Sequence, residues 1–97
     1  MTYDVVVDDR EFRRAPPPQR KKLRDLGRRL REEPFVGDRI RRELVPAPFR
    51  HLPNLYRLEL PDGWRALYAV TTNEVTGDAV RIVWIGDHKR YERLFGF

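Results

Sequence analysis

Apolar and polar positions alternate most regularly between Tyr56 and Tyr68. Side chains in a strand point to opposite faces with a period of two, so Tyr56, Leu58 and Leu60 share one face. Trp64, Ala66 and Tyr68 continue that face if three residues separate the two runs. Pro61-Asp62-Gly63 provides such a loop: proline presets φ at the first corner and glycine accepts the left-handed conformation at the last, as in a type I turn closed by a glycine bulge. This register opposes Leu60 to Trp64, Glu59 to Arg65, Leu58 to Ala66 and Arg57 to Leu67. A two-residue loop would instead put Arg65 on the face of Leu58 and Leu60. The pattern therefore predicts a β-hairpin with one apolar face and one charged face, the latter carrying Arg57, Glu59 and Arg65.

The rest of the chain reads around this hairpin. Residues 3–7 form a short strand by β-branched content, and Asp8 or Asp9 caps a brief helix through Arg14 with Phe12 turned inward. Pro16-Pro17-Pro18 starts a second helix, because proline is tolerated in the first helical turn. Leu23, Leu26 and Leu30 make a narrow apolar stripe between Gln19 and Glu33, and Pro34 ends it. Asp38 caps a short helical segment, Arg39 to Leu44, that buries Ile40 and Leu44. The three prolines between Val45 and Pro53 make that stretch irregular, with His51 exposed. Thr71 to Asp78 is a polar connection. Ala79 to Gly86 is apolar on both faces apart from Arg81 and reads as a central strand, with Arg81, Val83 and Ile85 facing one way and Val80, Ile82 and Trp84 the other. Asp87 to Phe97 is a helical tail with Tyr91, Leu94 and Phe95 at helical spacing. Residues 1–97 thus make one small domain of α+β class: N-terminal helices on a small twisted antiparallel sheet, with a short C-terminal helix.

Charge adds a partner class. The chain has 20 Lys and Arg against 15 Asp and Glu, and all but three of the basic residues are arginine. Arginine suits bidentate contacts to phosphate and stacking on bases, so nucleic acid or an acidic protein is the implied partner. Ten basic residues fall between Arg10 and Arg31 against only two acidic ones, a run that either grips a phosphate backbone or forms an ordinary solvated helix face. No cysteine is present, which excludes disulfides and thiolate chemistry. The apolar runs fall short of the ~20 residues of a membrane span, and the N-terminus lacks the pattern of a signal peptide, so a cytoplasmic location is expected.

The remaining inventory points to one chemistry. The glycines are scattered, two histidines lie far apart, and no metal and no cofactor are expected. Arg57, Glu59 and Arg65 on the hairpin, Arg81 on the neighbouring strand, and His88, Lys89, Arg90 and Tyr91 beyond it are the side chains that metal-free RNA cleavage uses. A 2′-hydroxyl loses a proton to a base while attacking the adjacent phosphate, cationic donors hold the phosphoryl oxygens, and an acid protonates the leaving 5′-oxygen. Each residue also has a plain structural role open to it: a helix-cap histidine, a core tyrosine, a cross-strand ion pair.

Gly37-Asp38-Arg39-Ile40, the segment Asn54 to Tyr68 with Trp64-Arg65-Ala66-Leu67-Tyr68, and Ile85 to Tyr91 with Asp87-His88-Lys89-Arg90-Tyr91 together resemble the RelE/ParE toxin superfamily of type II toxin-antitoxin systems, in its archaeal-style RelE-like branch. The resemblance implies a small basic toxin held inactive by a cognate antitoxin protein, which in RelE-like members enters the ribosome and cuts the bound mRNA. It places Arg65 at the position that contacts the scissile phosphate and Arg57 at a basic position on the preceding strand. His88 falls at the histidine or arginine after the last strand, and Tyr91 at the C-terminal tyrosine. Glu59 stands where some members have a second lysine, as a general base or as a partner of Arg65. The expected catalytic residues are therefore Arg65, His88, Tyr91 and Glu59, with Arg57, Arg81, Lys89 and Arg90 binding RNA. Phe35, Val36, Phe49 and Phe95 form either a groove for an antitoxin helix or core. The same fold also hosts gyrase poisons that cleave nothing, so the alternative functions are gyrase inhibition or a catalytically inactive, basic RNA-binding relic of the family.

Overall fold

The hairpin forms with the three-residue loop expected of it. In the computed structural model, which describes residues 2–72 and 77–96, Tyr56–Glu59 (β3) and Arg65–Thr71 (β4) pair antiparallel with Glu59 opposite Arg65 and Tyr56 opposite Tyr68. The loop differs in its detail from a type I turn. Asp62 as well as Gly63 is left-handed, with φ of 59° and 75°. Aspartate is among the few residues that tolerate this region, and the Pro61 carbonyl is held by two donors, Trp64 N at 3.2 Å and Gln19 Nε2 at 3.1 Å.

Around the hairpin run Asp4–Val7 (β1), the helices Asp9–Arg14 (α1) and Pro17–Leu30 (α2), the two-residue strand Asp38–Arg39 (β2), Ala79–Gly86 (β5) and the helix His88–Phe95 (α3). The fold is α+β, a five-stranded sheet in the order β1-β5-β4-β3-β2. One pairing departs from the antiparallel expectation: β1 runs parallel to β5, Val5 beside Val80 and Val7 beside Ile82. The long crossover through α1, α2 and the hairpin allows it, since parallel neighbours need such a connection. Asp8 caps α1 by accepting from Glu11 N at 3.2 Å, as its position predicts. Helix α2 stops at Leu30, short of Glu33, and the Arg31 carbonyl beyond its end accepts from Tyr3 N at 2.7 Å, tying the helix end to the start of β1.

Two apolar clusters lie on opposite faces of the sheet. The larger one, under α1 and α2, contains Leu23, Leu30, Tyr56, Leu58, Leu60, Ala66, Tyr68, Val70, Val80, Ile82 and Ile85, with Phe12, Leu26 and Trp64 against it. The smaller, under α3, contains Val45, Leu55, Leu67, Trp84 and Tyr91. Here the expected facing of β5 is corrected. Leu67 pairs with Trp84 but Tyr68 with Ile82, so Val83 is an extra residue, a β-bulge. Beyond it the alternation slips: Ile85 joins the larger cluster and Trp84 the smaller one. The hairpin's second face is consequently part apolar, with Leu55 and Leu67 fully buried there.

The segment after α2 is also corrected. Asp38 begins no helix; β2 pairs with β3, placing Asp38 opposite Arg57, and Ile40 N donates to Leu55 O at 2.9 Å. Cross-strand pairing and the Arg57 guanidinium outcompete local capping, and Leu44 is 50% exposed instead of buried. Gly37 sits where a side chain has no room: a Cβ would lie 2.8 Å from the Arg57 carbonyl and 2.8 Å from the Tyr68 hydroxyl. That hydroxyl accepts from Gly37 N at 2.9 Å and donates to Pro34 O at 2.8 Å. Burial holds the Tyr68 pKa above the usual phenol value, so the group remains a donor. Asn54 extends the hairpin ladder with its side chain, donating to Val70 O and accepting from Val70 N at 2.9 and 2.7 Å. The polar connection expected over 71–78 lies partly outside the described residues. Among the described residues, no helix is long and apolar enough to cross a membrane.

Candidate functional site

The cross-strand register brings Arg57, Glu59 and Arg65 to the sheet face that α3 partly covers. The Glu59 carboxylate lies between the two arginines, Oε1 at 3.3 Å from Arg57 Nε and Oε2 at 3.4 Å from Arg65 Nε. Asp38 Oδ2 is 3.3 Å from Arg57 Nη2. Charge-assisted hydrogen bonds are usually about 2.7–2.9 Å, so these contacts are loose. The Arg57 Nε is buried without a hydrogen-bond partner; its ion pair with Glu59 is close enough for attraction but misaligned for a bond. Both arginine side chains are partly buried, 30% and 22% exposed, whereas Glu59 is 58% exposed.

Below them is Tyr91 of α3, only 4% exposed. Its hydroxyl accepts from Arg57 Nη1 at 3.3 Å, and the Arg65 guanidinium carbon stands 4.4 Å from its ring centroid. Trp84 and Phe95 flank the ring at 6.0 and 4.5 Å. Stacking of Tyr91 on a base is therefore closed, because its surroundings are filled. The hydrogen bond to Tyr91, with smaller help from Asp38 and Glu59, holds the Arg57 pKa above its ordinary value, so its charge is permanent. Helix α3 is fixed at this height by its cap, Asp87 Oδ1 accepting from Arg90 N at 2.9 Å, and by Gly96, left-handed at its C-terminus.

A cleft of about 290 Å³ opens beside the pair, walled by Arg39, Arg41, Arg57 and Arg65 with Asp38, and floored by Tyr91 and Phe95. Four arginines line it with Asp38, while Glu59 and Glu43 lie against three of them, so the cleft carries a modest excess of positive charge. Arg39 and Arg41 were not among the residues expected from the sequence. A two-residue edge strand leaves no periodicity to read; the only signal was Asp38, whose charge complements Arg57.

The other expected site residues are placed less centrally. His88 opens α3 beside the hairpin loop, its Cβ 3.9 Å from where a Cβ on Gly63 would lie, and its Nε2 is 2.7 Å from Glu92 Oε1. Its side chain is 58% exposed. Lys89 is exposed, and Arg90 packs over Trp84 at 5.8 Å instead of facing the cleft. Arg81 shares the sheet face but is remote. It pairs with Ala69, four residues along β4 from Arg65, which is roughly 13 Å at the rise of a strand. It lines a separate depression with Asp4 and Thr71.

Part of the basic run of α1 and α2 is engaged in surface ion pairs. Arg13, Arg14, Arg28 and Arg29 pair with Asp9, Glu11, Asp25 and Glu33. Arg42 and Arg50 instead bind carbonyls of the irregular segment, Arg42 Nη1 donating to Leu52 O at 2.8 Å and Arg50 Nε to Val45 O at 3.2 Å. Phe35 and Val36 are exposed, 57% and 36%, while Phe49 and Phe95 pack on the smaller cluster. Compared with family models, curated proteins and solved structures, the chain has no match.

Proposed function

We propose that the chain is a toxin of the RelE/ParE kind, the active half of a toxin-antitoxin pair, whose cleft holds the phosphate backbone of single-stranded RNA. The observation that carries this reading is the pair of partly buried, loosely satisfied arginines, Arg57 and Arg65, above Tyr91 on an arginine-lined cleft. A guanidinium held out of bulk water and short of ideal partners gains most from an oxyanion.

On this reading the protein acts in the cytoplasm on ribosome-bound mRNA. The 2′-oxygen attacks the neighbouring phosphorus as the bond from phosphorus to the 5′-oxygen breaks, leaving a 2′,3′-cyclic phosphate and a 5′-hydroxyl. The attacking hydroxyl's proton passes to a base and another is delivered to the departing oxygen. Glu59, between the two arginines, and His88, at the start of α3 beside the hairpin loop, each 58% exposed, are the groups open to substrate for those transfers. Arg57 and Arg65 stabilise the charge that gathers on the phosphoryl oxygens. The resemblance carried by residues 54–68 and 85–91 supplies the ribosome and the antitoxin as partners.

A second reading, inhibition of DNA gyrase by binding alone, is favoured by one observation. His88 is engaged by Glu92 and the Tyr91 hydroxyl by Arg57, so the acid and base groups do not converge as tightly as the cations. Primer extension on an mRNA in a reconstituted translation reaction separates the two. Cuts that need ribosomes and disappear in Arg65→Ala and His88→Ala are the expected result. Intact mRNA with folded protein and accumulating double-strand breaks in DNA would select gyrase inhibition.

A further inference from the structure

We propose that Tyr91 is a positioning residue for the arginine pair and not the proton-transfer group, an inference that rests on the RNA-binding reading of the cleft. Three observations lead to it. The hydroxyl is buried with its residue, 4% exposed, and already accepts from Arg57 Nη1. The ring carries the Arg65 guanidinium at 4.4 Å, a cation–π distance. Glu59 and Asp38 also reach the two heads, at 3.3–3.4 Å, no closer than the 3.3 Å of Arg57 to Tyr91 and from side chains 58% and 68% exposed, whereas Tyr91 is buried.

Strand pairing fixes where the two arginine chains start but leaves their long side chains free to rotate. Holding a rotamer-rich side chain in one geometry costs entropy, and a ligand that meets the heads already placed escapes that cost. Tyr91 restrains both heads at once, Arg57 by its oxygen and Arg65 by its ring. The Glu59 carboxylate bridges the same two heads, so an anion of carboxylate or phosphoryl width fits their span. Because α3 carries Tyr91 while β3 and β4 carry the arginines, the helix sets the spacing of a site that the sheet supplies.

The experiment combines RNA binding with the resonances of the arginine side chains. Fluorescence anisotropy with a short labelled single-stranded RNA is measured for the wild type, Tyr91→Phe, Tyr91→Leu, Arg57→Ala and the Tyr91→Phe/Arg57→Ala double variant. Nitrogen-15 spectra of the arginine Nε–H groups are recorded without RNA. Tyr91→Phe keeps the ring and removes the oxygen, so affinity falls about threefold and only Arg57 becomes mobile. Tyr91→Leu removes both restraints with no change of charge, so affinity falls roughly tenfold and the Arg65 resonance loses its ring shift. Arg57→Ala should mask the Tyr91→Phe effect, a coupling that general loss of packing would not produce.

Unchanged arginine resonances in Tyr91→Phe and in folded Tyr91→Leu would overturn the proposal, as would a Tyr91→Phe loss that adds in full to Arg57→Ala. So would a Tyr91→Phe variant that binds RNA normally yet no longer cuts it. Wild-type protein with ordered arginines that binds no RNA would sink the RNA reading while leaving the restraint by Tyr91 standing.

Discussion

The two faces of the sheet solve different problems with the same strands. The face under α1 and α2 is mostly apolar: Leu23, Leu30, Tyr68, Val80 and Ile82 are at most 2% exposed, and Gln19, the one polar or charged residue fully buried among the described residues, donates to the hairpin loop. The face under α3 is smaller and mixes Leu67, Trp84 and Tyr91 with Arg57 and Arg65. Burial of apolar surface drives folding, whereas half-buried charges contribute little to stability and leave donors in need of a partner. On the proposed reading, stability and recognition are separated by the thickness of one sheet.

If that separation holds, Leu30→Ala should produce the largest loss of stability, about 3 kcal/mol in urea denaturation, with RNA affinity of the folded fraction unchanged. A comparable loss of affinity would break the comparison. Next comes Tyr68→Phe, expected to cost about 2 kcal/mol because it strands both Gly37 N and Pro34 O. Arg65→Ala should do the reverse: stability within about 1 kcal/mol, since its ion pair with Glu59 is long and partly solvated, but RNA affinity down roughly tenfold with a shallower salt dependence. Loss of folding in that variant would mean the second face is load-sharing core.

The smallest effect is a matter of pH. Burial raises the Glu11 pKa, overcoming the attraction of Arg14, so the folded protein holds that proton more tightly than the unfolded chain. The stability this confers is complete below the unfolded carboxylate value and is lost as pH rises through the higher folded value. Glu11→Gln should therefore raise the melting temperature slightly at neutral pH and leave it unchanged in acid, as thermal melts across that range will test.

Much of the face under α1 and α2 was legible in the sequence because it obeys strict periods. The alternation from Tyr56 to Tyr68 fixes the hairpin register, and Leu23, Leu26 and Leu30 mark the inner side of α2. The other face was legible as a set of residue types but not as an arrangement. Arg57, Glu59 and Arg65 follow from the register, yet the burial of Tyr91 beneath them depends on where α3 docks, which local pattern does not encode. Trp84 and Ile85 were assigned to the wrong faces because a bulge leaves no local mark in a run of apolar residues. Arg39 and Arg41 were missed for a related reason: the pairing of a two-residue strand is decided by its neighbour across the sheet.

The extra residue at Val83 divides β5 into two reading frames. Before it, Val80 and Ile82 face the helices above; after it, Ile85 does so while Trp84 faces α3. Trp84, folded so closely over Gly86 that an added Cβ would meet it at 2.5 Å, belongs to the second frame. Deleting Val83 would merge the frames into one regular strand and leave the indole beside Tyr91, whereas straightening the bulge with Val83 kept would turn the indole toward α2. Beyond the bulge, Tyr91 and Phe95 are thus where substitution can reshape the cleft floor while Val80 and Ile82 keep their packing.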